Sequence, residues 1–393
     1  MIESAHPQRP ASGPGAVIIR AMGRGHRATH VGARLWRGLS RRSRDAWARL
    51  ARRMATRRLH GPARITLSPT EVMAVLLVRD GAWFVPRFLD HHLNLGAAHV
   101  LVIDNGSTDE TVALCRRPKV TVLRNTMPAR LNESALRAEL ARRVARGGWL
   151  LFADADELVE LPLAGPRALA RLTGYCNARG FTAVLGQMLD HFAEGMETPP
   201  GASYDECIAA MRFHSLDRIE TIPYFDRARV GFSWFLRHNR CEDPGVRLHR
   251  GGLRAEIFGE DPFLTKHSLV RNLGGVQPMV HPHAAAGVSV ADVTLLLHHY
   301  KLAGDWVARD RAGLAAHHWD HGEDARRLEA AEGPAPIARP RHPRPWRGVE
   351  DLLAEGFLHA SPAFRAATAD AGLRSAAPPA GAEARPSARP PGG

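Results

Sequence analysis

Between residues 72 and 156 the chain repeats an alternation that few folds accommodate: a short apolar run, a helix-length amphipathic stretch, then another apolar run. "VMAVLLV" (72–78) holds no polar residue and reads as a strand covered on both faces. "FVPRFLDHHLNLG" follows as a helix ended by Gly96. "HVLVIDNGSTDE" is a second strand running into a turn, with Ser107 or Thr108 placed to cap the next helix. "KVTVLRN" is a third strand, residues 133–146 a helix closed by Gly147 and Gly148, and "WLLFADAD" a fourth strand. This order predicts an α/β fold: a mostly parallel, doubly wound sheet with helices on both faces. Past residue 163 the rhythm loosens, although "FTAVLGQMLD" and "VTLLLHHYKL" still read as strands.

Charge divides the chain. Of the net +13, all falls in residues 1–65, which hold 15 arginines against Glu3 and Asp45; the remaining 38 basic and 38 acidic residues balance. Residues 1–65 are expected to form a basic, largely disordered arm, with an amphipathic helix over 33–59 where Trp36, Leu39, Trp47, Leu50 and Met54 fall near helical spacing among arginines. Such a helix suits an anionic membrane surface, and equally a solvated helix packed on the main domain. Residues 66–310 form the main domain, 311–375 a Pro-rich linker (333–348) with a short helical extension, and 376–393 a disordered tail. The neutral main domain offers no basic groove, so specific nucleic-acid binding is not expected, although the arm alone keeps that alternative open. No apolar run approaches the roughly 20 residues of a membrane-spanning helix, and no secretory h-region opens the chain. Four separated cysteines without a CxxC pair suggest a reduced, cytoplasmic setting, peripheral at the inner face of the membrane where the arm engages it.

In a doubly wound sheet, ligands bind beyond the carboxyl ends of the strands. Three polar clusters sit there: Arg79-Asp80, Asp104 to Asp109, and Asp154-Ala155-Asp156-Glu157. Acids and amides gathered on one edge suit a nucleotide with metal-bound phosphates. Residues two apart on a strand share a face, so Asp154 and Asp156 are expected to address one ion, and oxygen ligands favour Mn²⁺ or Mg²⁺. Crowded carboxylates beside a core need compensation of this kind, or else a solvent-exposed turn.

The series "AVLLVRDGAWFVPRFLDHHLNLGAAHVLVIDNGSTDET" and "WLLFADADELV" resembles the nucleotide-sugar-binding half of family 2 glycosyltransferases with the GT-A fold, in its bacterial branch. "PYFD", "GGLRAEIFG", "LTKHSLVR" and "LLHHYKL" extend the resemblance over roughly residues 70–305, while Arg79-Asp80-Gly81 departs from that branch's Lys-Asn-Glu. The resemblance implies a nucleotide-sugar donor, a UDP-sugar in the first instance, and transfer to a hydroxyl of a glycan, lipid-linked or polysaccharide acceptor. It implies that Asp104 contacts base or ribose, with Asp80, Asn105 and Asp109 shaping that pocket. Asp154 and Asp156 would hold Mn²⁺ on the diphosphate, and His299, with His298 as the neighbouring alternative, would complete the site.

Only three of the 53 basic residues are lysine, and two of them, Lys266 and Lys301, lie inside "LTK" and "HYK", where donor phosphates would sit. Attack by the acceptor from the face opposite the leaving group inverts the anomeric centre and calls for a carboxylate base. Asp190, ending a strand near the same edge, is the first candidate for that base, with Glu256 and Asp226 as alternatives. A DxD phosphatase would want the acid pair after the first strand, and a nucleotidyltransferase a Gly-rich basic loop there. The sequence meets neither demand.

Overall fold

A computed structural model describes residues 41–315, 323–334 and 337–374. Of the arm expected to be largely disordered over residues 1–65, residues 1–40, with the start of the amphipathic helix, lie outside the described residues, as does the tail 376–393; residues 41–65 instead form a helix and strands that join the main domain. The chain opens with helix α1 (Arg41–Met54) and strand β1 (Thr56–His60), then β2 (Val72–Val78), α2 (Val85–Asn94), β3 (His99–Asp104), β4 (Val120–Asn125), α3 (Ala129–Val144) and β5 (Trp149–Phe152). After it come β6 (Glu157–Glu160), α4 (Ala168–Arg179), β7 (Ala183–Phe192), β8 (Phe213–His214), β9 (Thr265–Arg271) and β10 (Val290–His299). Helices α5 (Trp306–Ala315) and α6 (Glu323–Glu332), strand β11 (Arg344–Pro345), and helices α7 (Val349–Ala354) and α8 (Pro362–Arg374) complete the described chain.

The main sheet runs β1-β4-β3-β2-β5-β9-β7-β8-β11, and β10 branches from β7 to pair β6 as well. Strands β4, β3, β2 and β5 are mutually parallel; β9 enters antiparallel between β5 and β7, and β10 lies parallel to β7. Period-two alternation splits β2 between two cores. Val72, Ala74, Leu76 and Val78 pack with Phe88 and Leu89 of α2 and Leu169 and Leu172 of α4. Met73, Val75 and Leu77 pack with Leu136, Leu140 and Val144 of α3. An uninterrupted apolar run is what a strand covered on both faces requires.

Three expectations shift in detail. Helix α3 begins at Ala129, a turn before the expected Glu133, and ends at Val144, where Ala145–Arg146 pairs instead with Ile65–Thr66. Neither Ser107 nor Thr108 caps the short helix Thr111–Leu114, because both are engaged elsewhere; the Asp109 carboxylate accepts the Thr111 N–H instead. The Pro-rich stretch does not stand off as a spacer: β11 adds an edge strand to β8, where proline's missing donor costs nothing, and Trp346 lies edge-on to His298. Leu352, Phe357 and Leu358 then pack with Leu189 and Leu296, so this segment helps cover the main sheet.

Histidine supplies part of the core. His92 is fully buried against Phe88, His249 stacks on Phe357, and His267 meets the Tyr224 hydroxyl through Nε2 at 2.7 Å. Burial pushes the His92 imidazole down to about 3 and those of His249 and His267 to about 4. Between those values and the ordinary 6.5 the unfolded chain binds protons that the fold refuses. Their contribution is therefore complete above about pH 6.5 and lost as pH falls toward 4. Scanning calorimetry should find a melting temperature that falls steadily from pH 7 to pH 4; a flat profile over that window would contradict neutral burial of these rings.

Candidate functional site

Strand β5 stops at Phe152, and the acids that follow belong to a turn: the Glu157 N–H donates to the Asp154 carbonyl at 3.1 Å, and the Asp154 N–H to Glu157 Oε2 at 2.9 Å. Strand alternation therefore does not govern Asp154 and Asp156, and the expectation that they jointly face one ion gives way to a division of labour. Asp154 is held by cations. Lys266 Nζ, from β9, donates to Asp154 Oδ2 at 2.6 Å and to Glu157 Oε1, while Arg137, from α3, takes Asp154 Oδ1. Burial pushes the Asp154 carboxyl up, but Arg137 and Lys266 outweigh it and hold the group well below the usual carboxylate range. Burial likewise works against the Lys266 charge, and Asp154 and Glu157 more than restore it. Lys266 is thus an internal counter-ion facing carboxylates, not an open hook for phosphates as the sequence suggested.

Asp156 faces the other way. Its Oδ2 lies 3.6 Å from His299 Nε2, and the opposite ring nitrogen of His299 is taken by Asp190. Strand pairing produces this row, since His299 stands opposite Asp190 on β7 and opposite Glu157 on β6. Alternation turns His298 to the other face, against His191 at 2.8 Å and Glu160 at 2.6 Å. Burial lowers the His299 imidazole, but Asp156 and Asp190 raise it to about 9. Asp190 also accepts from Arg254 Nε at 3.1 Å. Burial raises its carboxyl, whereas Arg254 and His299 pull it far below the ordinary range. Asp190, the expected base, is thus closed between a guanidinium and an imidazole and orients the His299 ring. Glu256 accepts from the Arg341 N–H at 2.8 Å, and Asp226 accepts from the N–H of Ala228 and from Arg229 within its own turn.

Among the described residues, no group of three His, Cys, Asp or Glu side chains is gathered in metal-binding geometry. A smaller set does fit a divalent ion. Asp156 Oδ2 and His299 Nε2 face one another, and the second-sphere carboxylate of Asp190 orients the imidazole, as carboxylate–histidine–metal arrangements do. One carboxylate and one imidazole suit Mn²⁺ or Mg²⁺ when the ligand's own oxygens fill the remaining positions.

At the far end of the edge, the "DNGSTD" turn is knotted to the loop after β2. Asp104 is fully buried, accepting from the Ser107 N–H at 2.9 Å and from Arg124. The Asn105 amide donates to the carbonyls of Asn125 at 2.6 Å and Met127 at 2.8 Å. Asp80, at φ 49°, accepts from the Thr108 N–H at 2.7 Å, and its own N–H donates to Ser107 Oγ. Asp109 accepts from the N–H groups of Ala82 at 3.0 Å and Thr111 at 3.0 Å. Ser107 and Thr108 therefore clamp two loops rather than cap a helix. Asp80 and Asp109 remain exposed, while Asp104 and Asn105 are buried beneath them.

Sequence reading missed the wall at the Asp156 end. Arg309, from α5, lies over the rings of Trp83 at 5.4 Å and Phe84 at 5.2 Å and donates to the Lys301 carbonyl at 3.1 Å. Gly304, at φ +60°, lets this strap cross Trp83, since a Cβ there would come within 2.7 Å of the indole. Burial lowers the Arg309 guanidinium, and the more distant charges of Asp156 and Asp310 only partly offset that cost. Arg309 is half-buried, and a guanidinium so placed suits a phosphate. Arg137 was missed as well: it sits on a helix of mixed polarity, where no motif marks it. Glu157 was read as a member of the acidic cluster but given no separate role.

Residues 83–236 match the sequence model of glycosyl transferase family 2. The matched segment includes Asp104, Asp154, Asp156 and Asp190, and it ends before Lys266, His299 and Arg309. No curated protein matches the chain. Among solved structures, a mannosyltransferase from Pyrobaculum calidifontis in complex with GDP-Man and Mn²⁺ is similar over 46% of this chain and 48% of its own, at 20% identity and a TM-score of 0.23. A mannosyl-3-phosphoglycerate synthase from Rubrobacter xylanophilus is similar over 35% of this chain and 44% of its own, at 22% identity and a TM-score of 0.21. The similarity thus spans about half the length of each of these two structures.

The charge cluster makes a stability prediction. Lys266→Met leaves Glu157 buried without its cation and should lower unfolding free energy by about 3–5 kcal/mol in urea titration, with partial recovery in Lys266→Met/Glu157→Gln. Equal stability of Lys266→Met and wild type would show that the pair does not carry the turn.

Proposed function

We propose that the chain is a metal-dependent, inverting glycosyltransferase. It takes a sugar from a nucleotide-diphosphate donor, a UDP-sugar in the first instance, and passes it to a hydroxyl of a glycan, polysaccharide or lipid-linked acceptor. One observation carries the reading: the acidic turn after β5 meets His299 from β10 at the sheet edge of a family 2 segment, with Lys301 and Arg309 alongside. Asp80, Asp104, Asn105 and Asp109 frame the nucleoside end. Lys301 and Arg309 supply positive charge where the diphosphate lies.

Asp156 and His299 would hold Mn²⁺ or Mg²⁺, which supplies charge neutralisation for the departing nucleoside diphosphate. Asp190 keeps the His299 ring turned so that Nε2 faces Asp156. Lys266 and Arg137 fix the turn that carries Asp156, so the site is organised before a ligand arrives and little ordering cost falls on binding. The aromatic pair Trp83 and Phe84 excludes water beside Arg309, which strengthens a guanidinium–phosphate contact.

Isothermal titration should show UDP binding that requires Mn²⁺ and is abolished by Asp156→Ala or His299→Ala. Absence of binding by wild type to UDP, GDP and dTDP alike would remove the donor assignment. Arg309→Ala should weaken nucleoside diphosphate binding by about 10- to 100-fold, in line with loss of a charge-assisted contact, while leaving uridine binding unchanged. An equal loss for uridine would place Arg309 away from the phosphates.

A further inference from the structure

Helix α1 presents an apolar stripe to solvent. Trp47, Leu50 and Met54, spaced one and two turns along one face, are 55%, 46% and 79% exposed. No other helix among the described residues exposes three large hydrophobic side chains, and Phe225, Trp234 and Leu273 are the remaining large hydrophobics exposed there. The stripe is bordered by exposed Arg49 and Arg53, and exposed Arg57 and Arg58 follow on β1; Asp45 is the only acid between residues 41 and 60.

The helix is fixed in this orientation. Arg52 turns inward to pair with Glu139 of α3, through Nε at 2.9 Å. The Arg52 carbonyl accepts from Asn125 Nδ2 at 2.9 Å, and Asn125 in turn accepts from Asn105 in the nucleoside-end turn. The apolar face therefore points outward because the polar side is already spent on the domain, and it does so beside the carboxyl ends of the parallel strands.

We propose that α1 docks the protein on an anionic lipid bilayer, with Trp47, Leu50 and Met54 entering the interface and Arg49, Arg53, Arg57 and Arg58 meeting lipid phosphates. Charge selects this occupant over other apolar partners. A second copy of the chain would bring the same arginines face to face, whereas an anionic headgroup layer is complementary to them at every position. Tryptophan prefers the headgroup level, and basic residues each add to attraction by an anionic leaflet. The proposal concerns a surface outside the transfer site and does not depend on the donor assignment.

Flotation of the full chain with vesicles of phosphatidylcholine, with and without 30% phosphatidylglycerol, supplies the test. Binding should require the anionic lipid and fall as salt rises. It should drop about tenfold or more in Trp47→Ser/Leu50→Ser/Met54→Ser, and comparably in Arg49→Glu/Arg53→Glu. Circular dichroism and nucleotide binding should match wild type in both variants, since these side chains face away from the domain. The proposal is overturned if the wild type stays with the vesicle-free fraction at low salt, or if both variants float as it does. It is equally overturned if the stripe variant only dissociates a dimer, or if duplex DNA binds and only the arginine variant loses it.

Discussion

Lys266 reaches from the middle of the sheet into a turn that could not hold its shape without it. Asp154 and Glu157 lie three residues apart at the end of a buried strand, and Glu157 has no access to water. Two carboxylates in that position repel each other and lose hydration; an ammonium shared between them, with Arg137 behind, converts the cost into a fixed geometry. The position of Asp156, and with it the relation to His299, follows from that geometry. The cluster also joins three pieces of chain, the β5–β6 turn, α3 and β9, which are far apart in sequence.

A second constraint comes from the branch in the sheet. Because β10 inserts between β6 and β7, Glu157, His299 and Asp190 stand in one row across three strands. The ring of His299 is thereby held at both nitrogens by acids, one in the turn and one on the neighbouring strand. The wall opposite is softer in construction: a glycine at positive φ, two aromatics packed edge to face and an arginine whose desolvation is only partly compensated. One side of the site is locked by ion pairs, and the other has a cation to spare for a ligand.

Much of this was legible in the sequence where periodicity was strong. The parallel half of the sheet follows from apolar runs such as "VMAVLLV" and their spacing, and strand-end placement brought attention to Asp104, Asp154 and Asp156. The errors share a physical origin. Alternation was extended past Phe152 into a turn, which merged Asp154 and Asp156 into one role. Asp190 was read as a free carboxylate because Arg254, its partner 64 residues on, carries no local signal. The proline-rich stretch resembled a spacer, although proline is tolerated at the sheet edge where Pro345 sits. Arg309 escaped because its significance lies in what surrounds it, two aromatic rings and a distant acid, none of which a spacing rule can see.

The recognisable family segment closes at residue 236, yet every cation that balances the acids of β5–β7, Arg137 aside, arrives later: Arg254, Lys266 and His299. That segment alone would bring Asp154, Asp156, Glu157 and Asp190 together with one guanidinium among them. During synthesis the same imbalance would persist on the ribosome until β9 and β10 emerge. The acidic edge of the sheet would then be the last part of the domain to set, and folding of the whole would be timed by its carboxyl-terminal strands.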